Sequence, residues 1–288
     1  MAKLKVSELF YSIQGEGRYM GVPSVFLRTF GCNFTCDGFG MNKGEKSEER
    51  NIVFAKVDQY NNYKDLPLVS TGCDSYASWD PRFKHLSPVL DTGDITSAIM
   101  DMLPHKKWQD EHLVITGGEP LLGWQKQYAA LLEDDRMRGL KELTFETNGT
   151  QELNADFRHY LLDWTLNNKK AKRRGKDALT FSVSPKLSVS GEKWEDAICP
   201  DIVASYDYIG NTYLKFVVAT KEDAEEAEQA VNEYRKAGFA GHVYLMPLGG
   251  VESLYTLNNK TVALLAMEKG WRYSDRLQIP LFKNAWGT

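Results

Sequence analysis

The sequence predicts an α/β protein in which strands alternate with helices to form a parallel sheet or a partial barrel. The first observation is a series of short β-rich segments, at Ser24–Phe30, His112–Thr116, Leu143–Glu146, Leu179–Val183, Thr212–Ala219 and His242–Met246. The second is that helical stretches with apolar residues near the 3.6-residue period separate them, at Ile95–Leu103, Trp124–Glu133, Ala155–Trp164, Glu222–Ala237 and Asn258–Lys269. Such alternation is typical of βαβ units, whose chemistry gathers at the carboxyl ends of the strands.

The composition is that of a folded cytoplasmic protein. The 288 residues are 42% hydrophobic and 26% charged, which provides a sizeable core and excludes a disordered or fibrous chain. Thirty-five basic residues against 39 acidic ones give a net charge of −4, so no dedicated nucleic-acid or anionic-membrane surface is indicated. No apolar run reaches the roughly 18 residues of a membrane span, and the N-terminus lacks the apolar core of a signal peptide. We therefore expect one cytoplasmic domain over residues 1–288.

The strand Ser24–Phe30 runs directly into a pair of cysteines, Cys32 and Cys36. With Cys73 and Cys199 they are too few for a disulfide framework, and cytoplasmic thiols stay reduced. Two thiolates at this spacing can bind zinc or form part of an iron–sulfur cluster. Zinc is the weaker interpretation, because the histidines are scattered and no CxxC or HxxxH pattern accompanies the pair. A cluster held by only three thiolates would leave one iron open for a further ligand.

The strand His112–Thr116 ends in Gly117-Gly118-Glu119-Pro120. Paired glycines let a ligand approach the backbone closely, and a nearby carboxylate can bind an ammonium group. The alternatives are a plain strand-to-helix turn and, for Glu119, a cap on the following helix. The position at the carboxyl end of a strand, downstream of the cysteine pair, favours ligand binding.

Two segments interrupt the alternation of strands and helices. Asp37–Gly72 is polar and weakly periodic apart from Ile52–Val57. Asn167–Lys176 is strongly basic and could contact phosphate, but a solvated loop is the commoner explanation in an acidic protein.

Together these motifs resemble the radical S-adenosylmethionine superfamily, in which three cysteines bind a [4Fe–4S] cluster and a GGE segment binds the methionine moiety of the cofactor. Within it, the sequence is most similar to the 7-carboxy-7-deazaguanine synthase family. The matching segments are Gln14–Gly17, Gly21–Ser24, Phe26–Arg28, Gly31–Asn33, Thr116–Pro120, Phe145–Thr150, Ser184–Lys186 and Arg276–Ile279, with Asn284 and Gly287. The segment Arg276–Ile279 and the residues after it resemble that family's closing strand and tail.

The resemblance departs from the common pattern at the third cysteine. The usual motif is CxxxCxxC, but Phe39 stands at the third cysteine position. The segment Cys73–Trp79 resembles the stretch that begins with that cysteine, so residues 37–72 would contain an insertion of 34 residues between the second and third cluster cysteines. Such an insertion costs little, because loop-closure entropy rises only logarithmically with length. Cys199 is the alternative third ligand, in a segment without motif support.

The resemblance implies a partial (β/α) radical-SAM barrel and a lyase that converts 6-carboxy-5,6,7,8-tetrahydropterin to 7-carboxy-7-deazaguanine with release of ammonia, in 7-deazapurine biosynthesis. The cluster would reduce bound S-adenosylmethionine to give a 5′-deoxyadenosyl radical. A one-electron reductant such as flavodoxin or ferredoxin and a homodimer are also implied. The alternatives are another radical S-adenosylmethionine enzyme, such as an activase for a glycyl-radical enzyme, and an iron–sulfur-stabilised module that binds nucleic acid through the basic segment.

The resemblance also assigns the site residues. The cluster ligands would be Cys32, Cys36 and Cys73, and Ser75 would bind Mg²⁺ in place of the family's threonine. A carboxylate beside a carboxamide suits the guanidine-like edge of a pterin, and an arginine can clamp its carboxylate bidentately. The substrate-binding residues would be Gln14, Gly15, Glu16, Arg28 and Thr116. The residues that bind S-adenosylmethionine would be Gly72, Asp74, Gly117, Gly118, Glu119, Ser184, Pro185, Lys186, Met246, Pro247, Leu248 and Gly249. Met246 replaces a frequent glutamine, so backbone contacts are expected there.

Overall fold

One mixed sheet organises the chain. The structure is a computed structural model that describes residues 2–167 and 175–288, so most of the basic segment lies outside the described residues. Its strands are β1 (Lys3–Ile13), β2 (Pro23–Thr29), β3 (Val89–Asp91), β4 (His112–Gly117), β5 (Leu143–Thr147), β6 (Leu179–Val183), β7 (Asn211–Val218), β8 (Val243–Pro247) and β9 (Arg272–Tyr273). Its helices are α1 (Glu49–Phe54), α2 (Thr92–Met102), α3 (Gln125–Leu132), α4 (Ala155–Asn167), α5 (Trp194–Ala197), α6 (Pro200–Ile209), α7 (Lys221–Lys236), α8 (Glu252–Glu268) and α9 (Gln278–Phe282). None of these helices is long and apolar enough to cross a bilayer.

The sheet has the order β3-β1-β2-β4-β5-β6-β7-β8-β9. All neighbours from β2 to β9 are parallel, and β1 is antiparallel to both β2 and β3. The predicted α/β class and parallel pairing are therefore confirmed. The first strand was not predicted, although its residues alternate between polar and apolar over much of its length.

The inner strands are buried on both faces. Every residue of β4, β6 and β8 is buried, as expected for parallel strands that helices cover on one side and other residues fill on the other. Aromatic rings continue this packing between strand and helix: Phe181 stacks on Phe145 at 5.8 Å and on Tyr206 of α6 at 4.6 Å between ring centroids. The core thus fixes the strand ends, from which the site residues extend.

The predicted closing strand at Arg276–Ile279 is wrong. The last strand is β9, and α9 begins at Gln278. The reason is that the Leu277 amide donates to the Gly15 carbonyl at 3.1 Å, so this backbone pairs with the segment after β1 instead of extending the sheet.

The segment 14–19 crosses the concave side of the sheet. Gln14 donates to Glu146 of β5, Tyr19 contacts Thr180 of β6 at 3.3 Å between hydroxyl oxygens, and Glu16 pairs with Lys215 of β7. In a flat sheet β1 and β7, separated by β2, β4, β5 and β6, would lie about 24 Å apart. Six extended residues reach at most about 20 Å. The sheet must therefore curve strongly around this segment.

Residues 37–72 fold into a small packed unit. Four of their side chains form a second hydrophobic cluster with Tyr76, Ala77 and Phe83, and Trp286 packs against it; the four are Val53, Tyr63, Leu66 and Val69. The two ends of the unit meet, because the Gly72 amide donates to the Phe39 carbonyl at 2.7 Å. Residue 73 consequently returns to the point from which the chain left after residue 36.

Candidate active site

One cavity on the concave side of the sheet collects almost all of the predicted site residues. Those that line it are Gln14, Gly15, Glu16, Arg28, Cys32, Cys36, Gly72, Cys73, Asp74, Ser75, Thr116, Gly117, Gly118, Ser184, Lys186, Met246, Leu248 and Gly249. Glu119, Pro185 and Pro247 are not among the lining residues. The cavity is lined by three thiols and by a group of paired charges, and the two groups are considered in turn.

The loop after β2 holds the first two cysteines in a fixed conformation. Cys36 has φ +52°, a left-handed conformation that is uncommon for a residue other than glycine. The Glu192 carboxylate stabilises it by accepting hydrogen bonds from the Thr35 and Cys36 amides at 2.8 and 2.7 Å. The Gly31 amide also donates to the Ser78 carbonyl at 2.8 Å, which ties this loop to the chain that follows the third cysteine.

The hydrogen bonds from the cysteine loop to Glu192 therefore predict that replacing Glu192 weakens metal binding. We expect Glu192→Ala to lose iron to a chelator about tenfold faster than the wild type, because outer residues that orient metal ligands commonly contribute this much. Glu195→Ala, which removes an exposed acid from the same stretch, is the matched control and should behave as wild type. Equal rates of iron loss for the two variants would show that Glu192 does not support the loop.

Cys73 joins the first two cysteines, whereas Cys199 does not. All three thiols line the cavity and belong to one apolar cluster with Phe34, Phe39 and Ala197. Cys199 is absent from that cluster and from the cavity lining; it precedes α6, and its sulfur lies 3.8 Å from the Asp196 carbonyl oxygen.

The environment of the three thiols suits metal ligands better than nucleophiles. Burial raises the pKa of Cys32 to about 12 and that of Cys73 to about 11, and burial raises the pKa of Cys36 well above its ordinary value. At neutral pH these thiols keep their protons until a metal replaces them. Within the described residues, no three His, Cys, Asp or Glu side chains are arranged around a single metal ion. A cubane cluster makes a different demand, since each cysteine binds its own iron.

The two glycines after β4 allow close packing against the cysteine loop. A Cβ atom on Gly118 would lie 2.6 Å from both Cys32 Cβ and the Gly31 carbonyl oxygen, and one on Gly117 would lie 2.5 Å from the Thr29 carbonyl oxygen. The glycine pair therefore lets β4 approach β2 where the first cysteine emerges, in addition to any contact that it makes with a ligand.

Glu119 is turned into the protein. Its carboxylate accepts hydrogen bonds from the Leu121 amide at 3.0 Å, the Asn148 amide at 2.6 Å and the Thr147 hydroxyl at 2.8 Å. Burial raises the pKa of this carboxyl to about 7, although the two amides act in the opposite direction. Glu119 thereby joins the end of β4 to the end of β5.

This raised pKa predicts a particular dependence of stability on pH. Between about pH 4.5 and 7 the folded protein retains a proton on Glu119 that the unfolded chain has released. The contribution of Glu119 to the free energy of unfolding therefore falls as the pH rises through this range. In urea unfolding, the wild type should lose stability relative to Glu119→Gln over this range and show no further change above about pH 7. The difference in stability between the wild type and the exposed Glu152→Gln variant should not change with pH. If the wild type instead gained stability relative to Glu119→Gln as the pH rises, the amide donors would be holding the carboxylate ionised.

Glu16 is the centre of the paired charges that line the cavity. It pairs with Lys215, accepts from Arg276 Nε at 3.2 Å and accepts from Gln278 Nε2 at 2.7 Å. Burial alone would raise its pKa, but the positive charges of Lys215 and Arg276 prevail and lower it to about 2. Glu16 is thus a carboxylate at every physiological pH.

Arg28 is also engaged within the protein. Its Nε donates to Glu8 at 2.9 Å, and its Nη1 donates to Ser75 Oγ at 3.3 Å and to the Gly117 carbonyl at 3.1 Å. A second guanidinium, that of Arg276, donates through Nη2 to Asp74 at 2.7 Å. These bonds fix both arginines at the wall of the cavity.

Several lining residues were not predicted as site residues: Glu8, Glu146, Lys215, Arg276 and Gln278. Lys215 and Glu8 had a usable signal, because each is a charged residue within an otherwise largely apolar strand and both are buried. The others follow strands or end them, and only the fold brings them to the cavity.

Known proteins with similar sequences share one name. The chain is 32% identical to 7-carboxy-7-deazaguanine synthase of Halobacterium salinarum, with 98% of this chain and 91% of that protein covered. The chain belongs to the 7-carboxy-7-deazaguanine synthase family. The proteins of the same name from Rhodopirellula baltica and Pyrobaculum aerophilum are 28% and 26% identical, with 100% and 99% of this chain and 90% and 97% of those proteins covered. No family model matches the chain.

A solved structure shows the same fold. The crystal structure of QueE from Escherichia coli aligns with a TM-score of 0.53 over 94% of this chain and 93% of that one, at 19% identity. Membership of the 7-carboxy-7-deazaguanine synthase family identifies a lyase that uses an iron–sulfur cluster and S-adenosylmethionine. It favours this activity over the glycyl-radical activase and the nucleic-acid module that the sequence left open.

Proposed function

We propose that this protein converts 6-carboxy-5,6,7,8-tetrahydropterin to 7-carboxy-7-deazaguanine with release of ammonia. The observation that carries the proposal is a single cavity that is lined both by three thiols and by Glu16, Arg28 and their partners. The thiols suit a metal cluster, and the paired charges suit a polar, charged heterocycle. The curved sheet is then a partial (β/α) radical-SAM barrel, and the 37–72 unit contains the insertion between the second and third cluster cysteines.

Among the lining residues, Cys32, Cys36 and Cys73 would hold a [4Fe–4S] cluster. The donor set fits, because the thiols are buried, unpaired with one another and kept in place by Glu192 and by the close approach of Gly118. When bound, the cluster supplies the electron that begins the radical chemistry of S-adenosylmethionine. The protein's part is to orient that cofactor along the strand ends and to exclude water. We assign this part to Gly72, Asp74, Gly117, Gly118, Ser184, Lys186, Met246, Leu248 and Gly249, with Glu119, Pro185 and Pro247 shaping the loops behind them.

The pterin would be bound by Gln14, Gly15, Glu16, Arg28 and Thr116. Glu16 remains ionised because of Lys215 and Arg276, so it can accept hydrogen bonds from the guanidine-like edge of the substrate. Arg28 uses Nε and Nη1 within the described protein, which leaves Nη2 to reach the substrate carboxylate. A bidentate clamp through Nη1 and Nη2 would require Ser75 to release its bond.

Ser75 would contribute a hydroxyl ligand to Mg²⁺. Its Oγ lies 3.3 Å from Asp74 Oδ1, so a hard oxygen donor and a carboxylate are adjacent, as this ion prefers. The neighbouring Arg28 opposes a cation at this point, so the bound substrate has to supply compensating negative charge. We also propose a homodimer and a flavodoxin- or ferredoxin-type electron donor.

The test is turnover by the reconstituted protein. Anaerobic incubation with iron and sulfide should produce the absorption near ~400 nm that is typical of thiolate-bound clusters. Adding a reductant, S-adenosylmethionine and the carboxypterin should then yield 7-carboxy-7-deazaguanine and one ammonia for each product. A protein that assembles the cluster and cleaves S-adenosylmethionine without forming this product would overturn the proposed substrate.

A further inference from the structure

A buried hydrogen-bond donor without a partner lies beside the third cysteine. Nε1 of Trp79 is buried and makes no hydrogen bond of ordinary geometry among the described residues. The Trp79 side chain lines the same cavity as Cys73. The indole N–H of Trp79 also lies close enough to interact with the Cys73 sulfur. A neutral thiol is a poor acceptor, so this donor is matched to a thiolate.

The neighbouring indoles differ from Trp79 in this respect. Nε1 of Trp286, which also lines the cavity, donates to the Leu66 carbonyl at 2.8 Å. Nε1 of Trp124 donates to the Phe30 carbonyl at 3.0 Å. A buried donor that stays unpaired costs about 1–3 kcal/mol, so an acceptor that arrives beside Trp79 would remove this cost.

Arg50 of the 37–72 unit holds the indole ring in place. Its guanidinium carbon lies 4.5 Å from the centroid of the Trp79 ring. The same guanidinium binds Asp37, which follows Cys36, at 2.8 Å, and Asp80, which follows Trp79, at 2.9 Å. Arg50 thus joins the chain after the second cysteine to the tryptophan beside the third. Its positive charge on the ring face also makes the ring less able to turn away.

We propose that Trp79 donates a hydrogen bond to the cluster-bound Cys73 thiolate, and that Arg50 positions the indole for it. This inference rests on the proposed cluster site and assigns a role to the 37–72 unit, namely tuning of the cluster's reduction potential. A hydrogen bond to a ligand sulfur withdraws negative charge from the cluster and stabilises its reduced form. The potential therefore rises, and a given reductant reduces a larger fraction of the protein.

The first test compares cluster potentials in variants that keep the protein's shape. In Trp79→Phe the ring remains but the donor is lost, and the ratio of reduced to oxidised cluster at a fixed potential should fall about tenfold, which corresponds to about 59 mV for one electron. Arg50→Met should shift the potential in the same direction by a smaller amount. The double variant should match Trp79→Phe, because Arg50 acts through the indole.

Arg82→Met is the matched control. Arg82 also pairs with Asp80, at 2.6 Å, but its guanidinium lies over Phe54 at 4.6 Å instead of over Trp79. Arg82→Met, like Arg50→Met, removes one positive charge that pairs with Asp80. An unchanged potential in Arg82→Met would therefore show that charge alone does not explain the effect of Arg50. A shift in Arg82→Met equal to that in Arg50→Met would overturn the role of Arg50.

A second test needs no variant, in case Trp79→Phe assembles poorly. Wild-type protein labelled with indole-¹⁵N tryptophan should show a ¹⁵N hyperfine coupling to the reduced cluster by pulsed electron paramagnetic resonance. Absence of that coupling, or an unchanged potential in fully loaded Trp79→Phe, would overturn the inference and leave the proposed function intact. Wild-type protein that binds no cluster at all would overturn both.

Discussion

Replacing Cys73 by alanine should leave the protein without its iron–sulfur cluster, whereas Cys199→Ala should bind as much iron and sulfide as the wild type. Cys73 lies with Cys32 and Cys36 in one buried cluster of side chains at the cavity, and Cys199 lies outside it. Loss of one of three thiolates exposes an iron to solvent, so we expect iron content below about a tenth of the wild-type value. Iron and sulfide analysis after anaerobic reconstitution measures the effect.

The two alanine variants control for each other, since both remove a buried or half-buried thiol. Burial raises the pKa of both thiols, so neither is a reactive surface group. Circular dichroism should confirm that both variants remain folded before reconstitution. Full cluster in Cys73→Ala together with loss in Cys199→Ala would require a different path for the chain after residue 36.

Replacing Lys215 by methionine should destabilise the protein and almost abolish turnover. The change leaves the Glu16 carboxylate buried with Arg276 and Gln278 but without its closest cation. Removing one partner of a buried ion pair costs about 3 kcal/mol, and loss of a fixed charge at the substrate should lower kcat/KM by about a hundredfold. Urea unfolding and steady-state kinetics measure the two effects. Lys221→Met is the control, because its pair with Glu225 is exposed and should contribute under about 1 kcal/mol.

The dependence of stability on pH distinguishes an electrostatic effect of Lys215 from simple loss of packing. Glu16 has a pKa lowered to about 2 in the folded protein, so its ionised form contributes stability that is complete above about pH 4.5 and disappears as the pH falls towards 2. In Lys215→Met the pKa of Glu16 should rise, and the loss should begin at higher pH. Equal pH profiles for the two proteins would show that Lys215 acts only by filling space.

The sequence was sufficient for those features that depend on local pattern. Strands β4 and β6 are short β-rich segments that are buried on both faces, and they were predicted within one residue. The cysteine pair and the glycine pair follow strands β2 and β4, where site residues of such folds are expected. The predicted substrate residues Gln14, Gly15 and Glu16 reach the cavity because the segment after β1 crosses the curved sheet.

Other features depend on contacts between distant residues, which no local pattern reveals. Gly117-Gly118-Glu119 signals a ligand-binding turn, but the direction of the Glu119 carboxylate is set by Thr147 and Asn148 at the end of another strand. The polar 37–72 segment has weak periodicity, because its few apolar residues complete a core with Phe83 and Trp286 instead of forming a long amphipathic helix. The prediction of a closing strand was wrong for a similar reason, since residues 276–278 bind residues 15 and 16.

The packing of Trp286 on the 37–72 unit has a consequence for biosynthesis. Its ring lies 4.8 Å from that of Tyr63 and 5.8 Å from that of Tyr76, three residues after Cys73. A nascent chain that carries Cys32, Cys36 and Cys73 but not yet Trp286 therefore lacks one ring of the hydrophobic cluster around Tyr76. We expect the 37–72 unit to complete its packing only after Trp286 has been synthesised, and a truncation before Trp286 to bind less iron than the full chain.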